Sequence, residues 1–177
     1  MSAPYALARG SGDRWAEEAA ARGRRGTQSV VGAGEAEAPA EVALGLGVVT
    51  GAPVIERRRL IHLDGRTVEL TRTYWSVSTA RGTALARTNK IKGGVVSLLA
   101  ELGHVAHVVR EEVCARMPDD EELAVLGLGP RDPVLQLVRQ TLDADGTPFQ
   151  VDVSVFAGPT QRLRYEMGAT RDDHSGR

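Results

Sequence analysis

The chain has 177 residues, 42% of them hydrophobic and 25% charged, which is the composition of one ordinary globular domain. Its formal net charge is −1, so direct binding to nucleic acid or to anionic lipid through excess positive charge is disfavoured. Cys114 is the only cysteine and no apolar run reaches the roughly 20 residues that span a bilayer, so we expect a cytoplasmic protein with neither a disulfide nor a membrane segment.

The chain divides by composition into an arm, a domain and a tail. Residues 1–26 are rich in Ala, Arg, Gly and Glu, which predicts a flexible arm or linker, although Asp13 to Arg25 could form a short charged helix that carries Trp15. A folded domain is expected over residues 27–168. Residues 169–177 are polar and predict a disordered tail.

Two β-hairpins are the strongest structural signals. Each consists of two strand-like runs joined around an Asp-Gly pair, a common tight hairpin turn: Val54–Leu63 with Val68–Ser76, and Val134–Leu142 with Phe149–Phe156. Arg59 precedes its Asp-Gly pair by five residues and Arg139 precedes its own by six. This similarity suggests a weak internal repeat of roughly eighty residues.

The remaining elements complete an antiparallel sheet with a few packed helices, an α+β domain. Acidic residues in the first turn of the last predicted helix are expected to cap it and not to bind a metal. In chain order we predict a strand over Thr27–Val31, a helix over Ala38–Leu46 closed by Gly45 and Gly47, a helix over Gly93–Leu102, a strand over Val105–Met117, a helix over Pro118–Leu126 and a strand over Gln161–Glu166.

Five segments in this order resemble actinobacterial members of the UTRA family, the effector-binding domains of GntR/HutC-type transcriptional regulators. They are APAEVALGLGV at 38–48, PVIERRRLIHLDGRTVEL at 53–70, GGVVSLLAELGH at 93–104, EEVCARMPDDEELAVLGL at 111–128 and PVLQLVRQTLDADGTPFQVDVSV at 133–155. The resemblance implies a chorismate-lyase-like fold, a small-molecule pocket between the sheet and its helices, and a homodimer. Such regulators carry an N-terminal winged helix-turn-helix, which this sequence does not show, so we expect a chain without its own DNA-binding domain.

Arg57 and Arg59 are the first candidate ligand contacts. Period-two alternation puts both on one face of their strand, together with Ile55 and Ile61, where a charge needs a partner. The resemblance implies that arginines near these positions grip an anionic group of the effector, and the guanidinium fork suits a carboxylate or phosphate. An internal salt bridge, with Glu111 as the partner, or an exposed edge strand would explain them equally well.

The second hairpin supplies further candidates. Gln150, Asp152 and Phe156 alternate with valines, so they either face water or line the pocket. The resemblance implies that the residue matching Gln150 is often a ligand-binding Glu and that an aromatic residue near Phe156 closes the site. Arg139 and Tyr74 are two further candidate ligand contacts. Because Tyr74 and its neighbour Trp75 alternate in a strand, at most one of them lines the pocket.

The start of the central helix departs from the family pattern. Phosphosugar-binding members carry a Ser-x-Tyr there, whereas this chain has Gly94, Val95 and Val96. Without the two hydroxyls the pocket becomes roomier and more apolar. We therefore expect Gly94 and Val96 to line it, and a ligand with apolar bulk and one acidic or polar group.

An enzyme is the alternative interpretation. The histidines lack a metal-ligand spacing and no nucleotide or hydrolase motif is present, so neither a metal nor a cofactor is expected. A cofactor-free lyase or cyclase of a specialised metabolite would use Arg57 or Arg59 to anchor a carboxylate or enolate, and Glu111 or Asp152 to move a proton. This hypothesis depends on fold analogy alone.

Overall fold

A computed structural model of the protein describes residues 14–165. The helices and strands, in chain order, are α1 (Arg14–Ala20), β1 (Gly26–Glu37), α2 (Ala40–Leu46), β2 (Pro53–Leu63), β3 (Arg66–Ser76), α3 (Val77–Ala80), α4 (Gly94–Glu101), β4 (Val108–Arg116), α5 (Asp120–Leu126), β5 (Val134–Leu142) and β6 (Pro148–Ala157). None of the helices within this range is long and apolar enough to cross a membrane.

The six strands form one antiparallel sheet in the order β1-β2-β3-β6-β5-β4. Both predicted hairpins are present, and β3 of the first pairs with β6 of the second at the centre of the sheet. Nearly all of β6 is buried, and α2 and α5 both contact it. The predicted α+β class is thereby confirmed.

The chain repeats one arrangement of elements on the two sides of the β3–β6 pair. Strand β1, helix α2 and hairpin β2-β3 form the first half, and β4, α5 and β5-β6 form the second. Helices α2 and α5 both end at a left-handed glycine, Gly47 with φ 69° and Gly127 with φ 61°. The internal repeat suggested by the sequence is thus visible in the order of the elements.

Helices α2 and α5 pack on one face of the sheet. Val42 and Leu46 of α2 are buried there against Tyr74 and Val151. Gly45 lies within the helix and allows this close approach, since a Cβ at Gly45 would sit 2.7 Å from Cγ2 of Val151. The other face carries polar side chains, and a second cluster covers it at one end: Ile55, Trp75, Ala80, Leu85, Ile91, Leu99 and Phe149.

Two segments differ from expectation. Residues 14–25, part of the expected flexible arm, include α1, which packs on β1 and buries Ala19. Trp15 holds it there because its Nε1 donates a hydrogen bond to the carbonyl of His62 at 2.9 Å. Residues 161–165 do not form the expected final strand. Glu166 and the expected tail at 169–177 lie outside the described residues.

Candidate functional site

Five polar side chains form a continuous row across the sheet. Arg57 on β2 faces Thr73 on β3, Thr73 faces Asp152 on β6, Asp152 faces Arg139 on β5, and Arg139 faces Glu111 on β4. Directly opposed residues of antiparallel strands project from the same face. The five side chains therefore lie side by side on one face of the sheet, one from each of five adjacent strands. We call them the charged row. All but Glu111 are buried.

The centre of the charged row is a closed hydrogen-bond network. The hydroxyl of Thr73 donates to Oδ1 of Asp152 at 2.6 Å, and Nε2 of Gln150 donates to Oδ2 at 2.7 Å. Nε1 of Trp75 in turn donates to Oε1 of Gln150 at 3.0 Å. Both oxygens of the Asp152 carboxylate are therefore held by neutral donors, which fix its position.

The β4 end of the charged row is neutralised internally. Nε of Arg139 donates to Oε1 of Glu111 at 2.6 Å, and the second nitrogen NH2 lies 2.5 Å from the same oxygen. The phenol of Tyr165 lies close to the Glu111 carboxylate. Burial, followed by this contact, raises the pKa of Tyr165. The irregular chain at 161–165 thus reaches the Arg139–Glu111 pair.

The β2 end of the charged row is not neutralised in this way. Arg57 is only 3% exposed, and its two terminal nitrogens donate to main-chain carbonyls, NH1 to Arg87 and NH2 to Asn89 at 2.9 Å. Its Nε is buried with no hydrogen-bond partner. Among residues 14–165, no carboxylate lies within salt-bridge distance of Arg57, and the residue facing it on β1 is Ala33.

A buried guanidinium without a carboxylate is costly to the fold, because carbonyls solvate the charge but do not neutralise it. Burial, and then the neighbouring charge of Arg59, lowers the pKa of Arg57. Arg59 is half-buried two residues further along β2, and its NH1 donates a hydrogen bond to Oε1 of Gln28 at 3.5 Å. Two adjacent guanidiniums on one face can bind a carboxylate or phosphate from outside the chain.

The segment that covers this end of the sheet is positively charged. Residues 77–100 contain no acid, although acids and bases are almost equal in number over the whole chain. The same stretch carries Arg81, Arg87, Lys90 and Lys92, and the two lysines are the only ones in the protein. An acid-free run beside Arg57 raises the local concentration of anions. The absence of acids from this stretch is visible in the sequence, but the prediction of site residues from motifs did not take it into account.

Six of the residues expected in the site share the polar face of the sheet: Arg57, Arg59, Glu111, Arg139, Gln150 and Asp152. Phe156 lies further along that face, buried opposite Glu69 and Leu135. Gly94 and Val96 are exposed on the first turn of α4. The site candidates are therefore largely brought together, with α4 bordering them.

Tyr74 is placed differently. It points to the opposite face of the sheet, where it is buried against α2 and its hydroxyl donates to Glu56 at 2.9 Å. Burial and then the Glu56 carboxylate raise the pKa of Tyr74. Trp75 and Thr73 occupy the polar face instead. Thr73 was not among the expected residues, and Trp75 was the alternative to Tyr74; the face on which each lies depends on an irregularity in the β2–β3 pairing.

The alternative explanations of the arginines do not match the geometry. Glu111 pairs with Arg139, and four strand spacings of about 4.8 Å separate β4 from β2, so Glu111 cannot reach Arg57. Strand β2 lies between β1 and β3, so it is not an edge strand. Neither an internal salt bridge to Glu111 nor edge exposure accounts for the charge of Arg57.

The sequence matches the UTRA domain over residues 21–162, a range that contains all six strands. The chain belongs to the UTRA domain family. Its sheet is that of UTRA effector domains: the crystal structure of the effector domain of PhnF from Mycobacterium smegmatis superposes with a TM-score of 0.71 at 26% identity, covering 90% of this chain and 97% of that one. The expected family and fold are confirmed.

The curated relatives are transcriptional regulators. An uncharacterised HTH-type regulator from Streptomyces coelicolor is 31% identical over 157 residues, which are 87% of this UTRA chain and 57% of the relative. One from Rhizobium meliloti is 32% identical over 136 residues, covering 75% of this chain and 55% of its own length. The chain spans little more than half of each. As a UTRA domain it is an effector-binding regulatory domain, and the relatives give no support to the enzyme hypothesis.

Proposed function

We propose that this UTRA domain binds an anionic small-molecule effector on the polar face of its sheet, and that Arg57 contacts the acidic group. The observation that carries the proposal is the buried guanidinium of Arg57, whose charge no carboxylate of residues 14–165 neutralises. A ligand carboxylate there would supply the missing charge and an acceptor for Nε. Arg59 is close enough along β2 to assist.

The rest of the ligand is apolar in this proposal. Beyond Arg57 the polar face ends at the buried apolar cluster that contains Ile55, Trp75 and Leu99, and α4 begins with Gly94 and Val96, which offer no side-chain hydroxyl. Gln150 and Asp152 lie beside this apolar end. The amide of Gln150 can donate a hydrogen bond to a polar substituent of the ligand or accept one from it, and the carboxylate of Asp152 can accept one. We therefore propose a ligand with a carboxylate on an aromatic or aliphatic body in preference to a phosphosugar.

The wider context is part of the same proposal. Homodimerisation, membership of the HutC subfamily and action in the cytoplasm are supported by the family resemblance. The near-zero net charge supports a domain that does not itself contact DNA. Light scattering of the purified chain tests the dimer, which requires twice the 18.9 kDa mass of the chain.

The test compares Arg57 with its neighbour Arg58, which has the same chemistry but projects from the opposite face toward Glu56 and Glu121. Wild type, Arg57→Gln and Arg58→Gln are titrated with benzoate, citrate and inorganic phosphate by calorimetry, with the melting temperature recorded in parallel. We expect benzoate to bind wild type and R58Q alike and R57Q about 10- to 100-fold more weakly, since hydrogen bonds to a charged group contribute about 1.5–3 kcal/mol.

Arg57→Lys separates charge from fold. It keeps a charged donor for the carbonyls of Arg87 and Asn89, so it should fold if R57Q does not. It should recover only part of the affinity, because a lysine lacks the bidentate fork. Equal binding of the panel by wild type and R57Q would remove Arg57 from the site. If no anion of the panel binds wild type at all, the proposed ligand class is wrong.

A further inference from the structure

Arg57 is covered by a short segment of the chain that it also holds in place. The gate segment, residues 87–93, connects Ala86 to α4, and the carbonyls of Arg87 and Asn89 accept the two hydrogen bonds of the Arg57 guanidinium. Arg57 is 3% exposed as a result. An anion in solvent therefore cannot reach the guanidinium while the gate segment stays where it is.

The gate segment is otherwise held weakly. Residues 87–90 are exposed, and only Ile91 is buried, at the rim of the apolar cluster. Main-chain hydrogen bonds close its two ends, Arg87 to Ala84 at 3.3 Å and Gly94 to Ile91 at 3.0 Å. The segment ends at Gly93, and both Gly93 and the following Gly94 have a positive φ, 78° and 85°. Few buried contacts and an exposed backbone are the properties of a locally unstable segment.

The bonds that hold the gate segment are the ones an anion would take. A carboxylate can accept two parallel hydrogen bonds from the guanidinium and also neutralises its charge, which the two carbonyls do not, so a carboxylate competes well for both donors. Lys90 and Lys92 of the gate segment draw anions toward this end of the sheet. The carbonyls of Arg87 and Asn89 and a ligand anion cannot accept hydrogen bonds from the same two nitrogens of Arg57 at the same time.

We infer that the gate segment is an internal occupant of the anion site, latched by Arg57 and released when a ligand anion takes over the guanidinium. The inference rests on the proposed function. The ligand binds only when the gate segment is open. The apparent affinity therefore equals the affinity of the open form multiplied by the fraction of molecules that are open. Effector binding would then be reported at the surface by release of residues 87–93, next to α4.

Limited digestion with trypsin tests the latch, because Arg87, Lys90 and Lys92 are three tryptic sites inside the gate segment. Without ligand, we expect Arg57→Gln to be cut there about tenfold faster than wild type or Arg58→Gln, since opening a segment held by about two hydrogen bonds becomes easier. Cleavage at Arg110 and Arg116 on β4 serves as the internal measure of global unfolding. Saturating benzoate should accelerate cleavage of the gate segment in wild type and not in R57Q.

Ile91→Val gives a second test with Arg57 intact. Shortening the one buried side chain of the gate segment weakens its closed state slightly, so benzoate should bind about threefold more tightly, as expected for a loss of about 0.7 kcal/mol from an Ile-to-Val change. Unchanged or weaker binding contradicts the idea that closure competes with the ligand.

The outcomes separate the gate from the site. Cleavage of the gate segment at the wild-type rate in R57Q overturns the latch. Arg57-dependent binding of benzoate that leaves this cleavage unchanged, or slows it, also overturns the latch and leaves the proposed function standing. If R57Q loosens the segment but no anion binds in an Arg57-dependent way, the proposed function fails and the gate fails with it.

Discussion

The first half of the sheet and the second half place an arginine at equivalent positions, Arg57 and Arg139, on either side of the central Thr73–Asp152 pair. The residues on their outer sides differ. Glu111 on β4 faces Arg139 and binds it, whereas Ala33 on β1 faces Arg57 and offers a methyl group. The repeated backbone supplies two sites for a buried cation, and the sequence places a carboxylate beside Arg139 but none opposite Arg57.

The helices of the two halves, α2 and α5, differ in how their first turns are capped. Asp119 and Glu122 form a reciprocal capping box at the start of α5, and Arg116 on β4 clamps Glu122 with two bonds of 2.6 Å. Helix α2 starts at Pro39 with no side-chain cap and depends on the close packing at Gly45. Within residues 14–165, the two ion pairs in which one side chain is no more than 10% exposed, Arg116–Glu122 and Arg139–Glu111, both lie in the second half.

The largest predicted effect comes from making the halves alike. Ala33→Glu puts a carboxylate opposite Arg57, as Glu111 stands opposite Arg139, since opposed Cβ atoms are about 4.5–5.5 Å apart. The new ion pair should satisfy Arg57 internally and weaken benzoate binding about hundredfold, or about 2.7 kcal/mol. Calorimetric titration of the variant measures the change.

The isosteric variant Ala33→Gln is the control for this exchange. It fills the same space without a charge, so it should weaken benzoate binding less than tenfold, or less than about 1.4 kcal/mol. Equal losses in both variants would assign the effect to crowding of β1 against β2. Undiminished benzoate binding by Ala33→Glu would mean that binding does not depend on Arg57 lacking a carboxylate partner.

The sequence was sufficient to predict the two hairpins, because alternating strands around Asp-Gly pairs specify them locally. It was not sufficient for the face on which each residue lies. A regular β2–β3 hairpin around Asp64-Gly65 would place Tyr74 opposite Ile55, but β3 carries one extra residue at Val68, and Trp75 takes that position instead. A one-residue slip exchanges the faces, so Tyr74, which was expected in the site, lies on the opposite face.

Other misses have tertiary causes. Strand β1 runs to Glu37, well beyond Val31, because pairing along the whole of β2 extends a segment whose own residues are small and polar. Residues 161–165 alternate as a strand would, but they lie against the Arg139–Glu111 pair through Tyr165 and form no ladder. The contrast between Ala33 and Glu111 needed the register of both outer strands, which no local pattern reveals.

A smaller effect is expected where the second half depends on its own ion pair. Glu122 is 1% exposed and bonded by Arg116, so Glu122→Gln should lower the free energy of unfolding by about 2 kcal/mol, less than for a fully buried pair because Arg116 retains access to water. Glu121→Gln is the control: it removes an exposed partner of Arg72 and should cost under about 1 kcal/mol. Urea unfolding of both variants measures this.

The same pair predicts a dependence on pH. Burial opposes ionisation of Glu122, but the bonds from Arg116 and from the Asp119 amide outweigh it, so the pKa of Glu122 lies below its usual 4.5. A lowered native pKa means that the stabilisation is complete above about pH 4.5 and is lost as the pH falls through the native value. The difference between wild type and E122Q should therefore shrink below that pH, and a difference that grows in acid would contradict the assignment.

The smallest effect concerns α1, the helix that precedes β1 as α4 precedes β4. Trp15→Phe keeps the aromatic contact with Gly26 but removes the 2.9 Å hydrogen bond to the His62 carbonyl, which should cost about 1 kcal/mol in urea unfolding. Glu17→Gln on the exposed side of the same helix should change stability by no more than about 0.5 kcal/mol. Because His62 belongs to the strand that carries Arg57, equal stability of W15F and wild type would mean that α1 is not anchored to that strand and that the first half ends at β1.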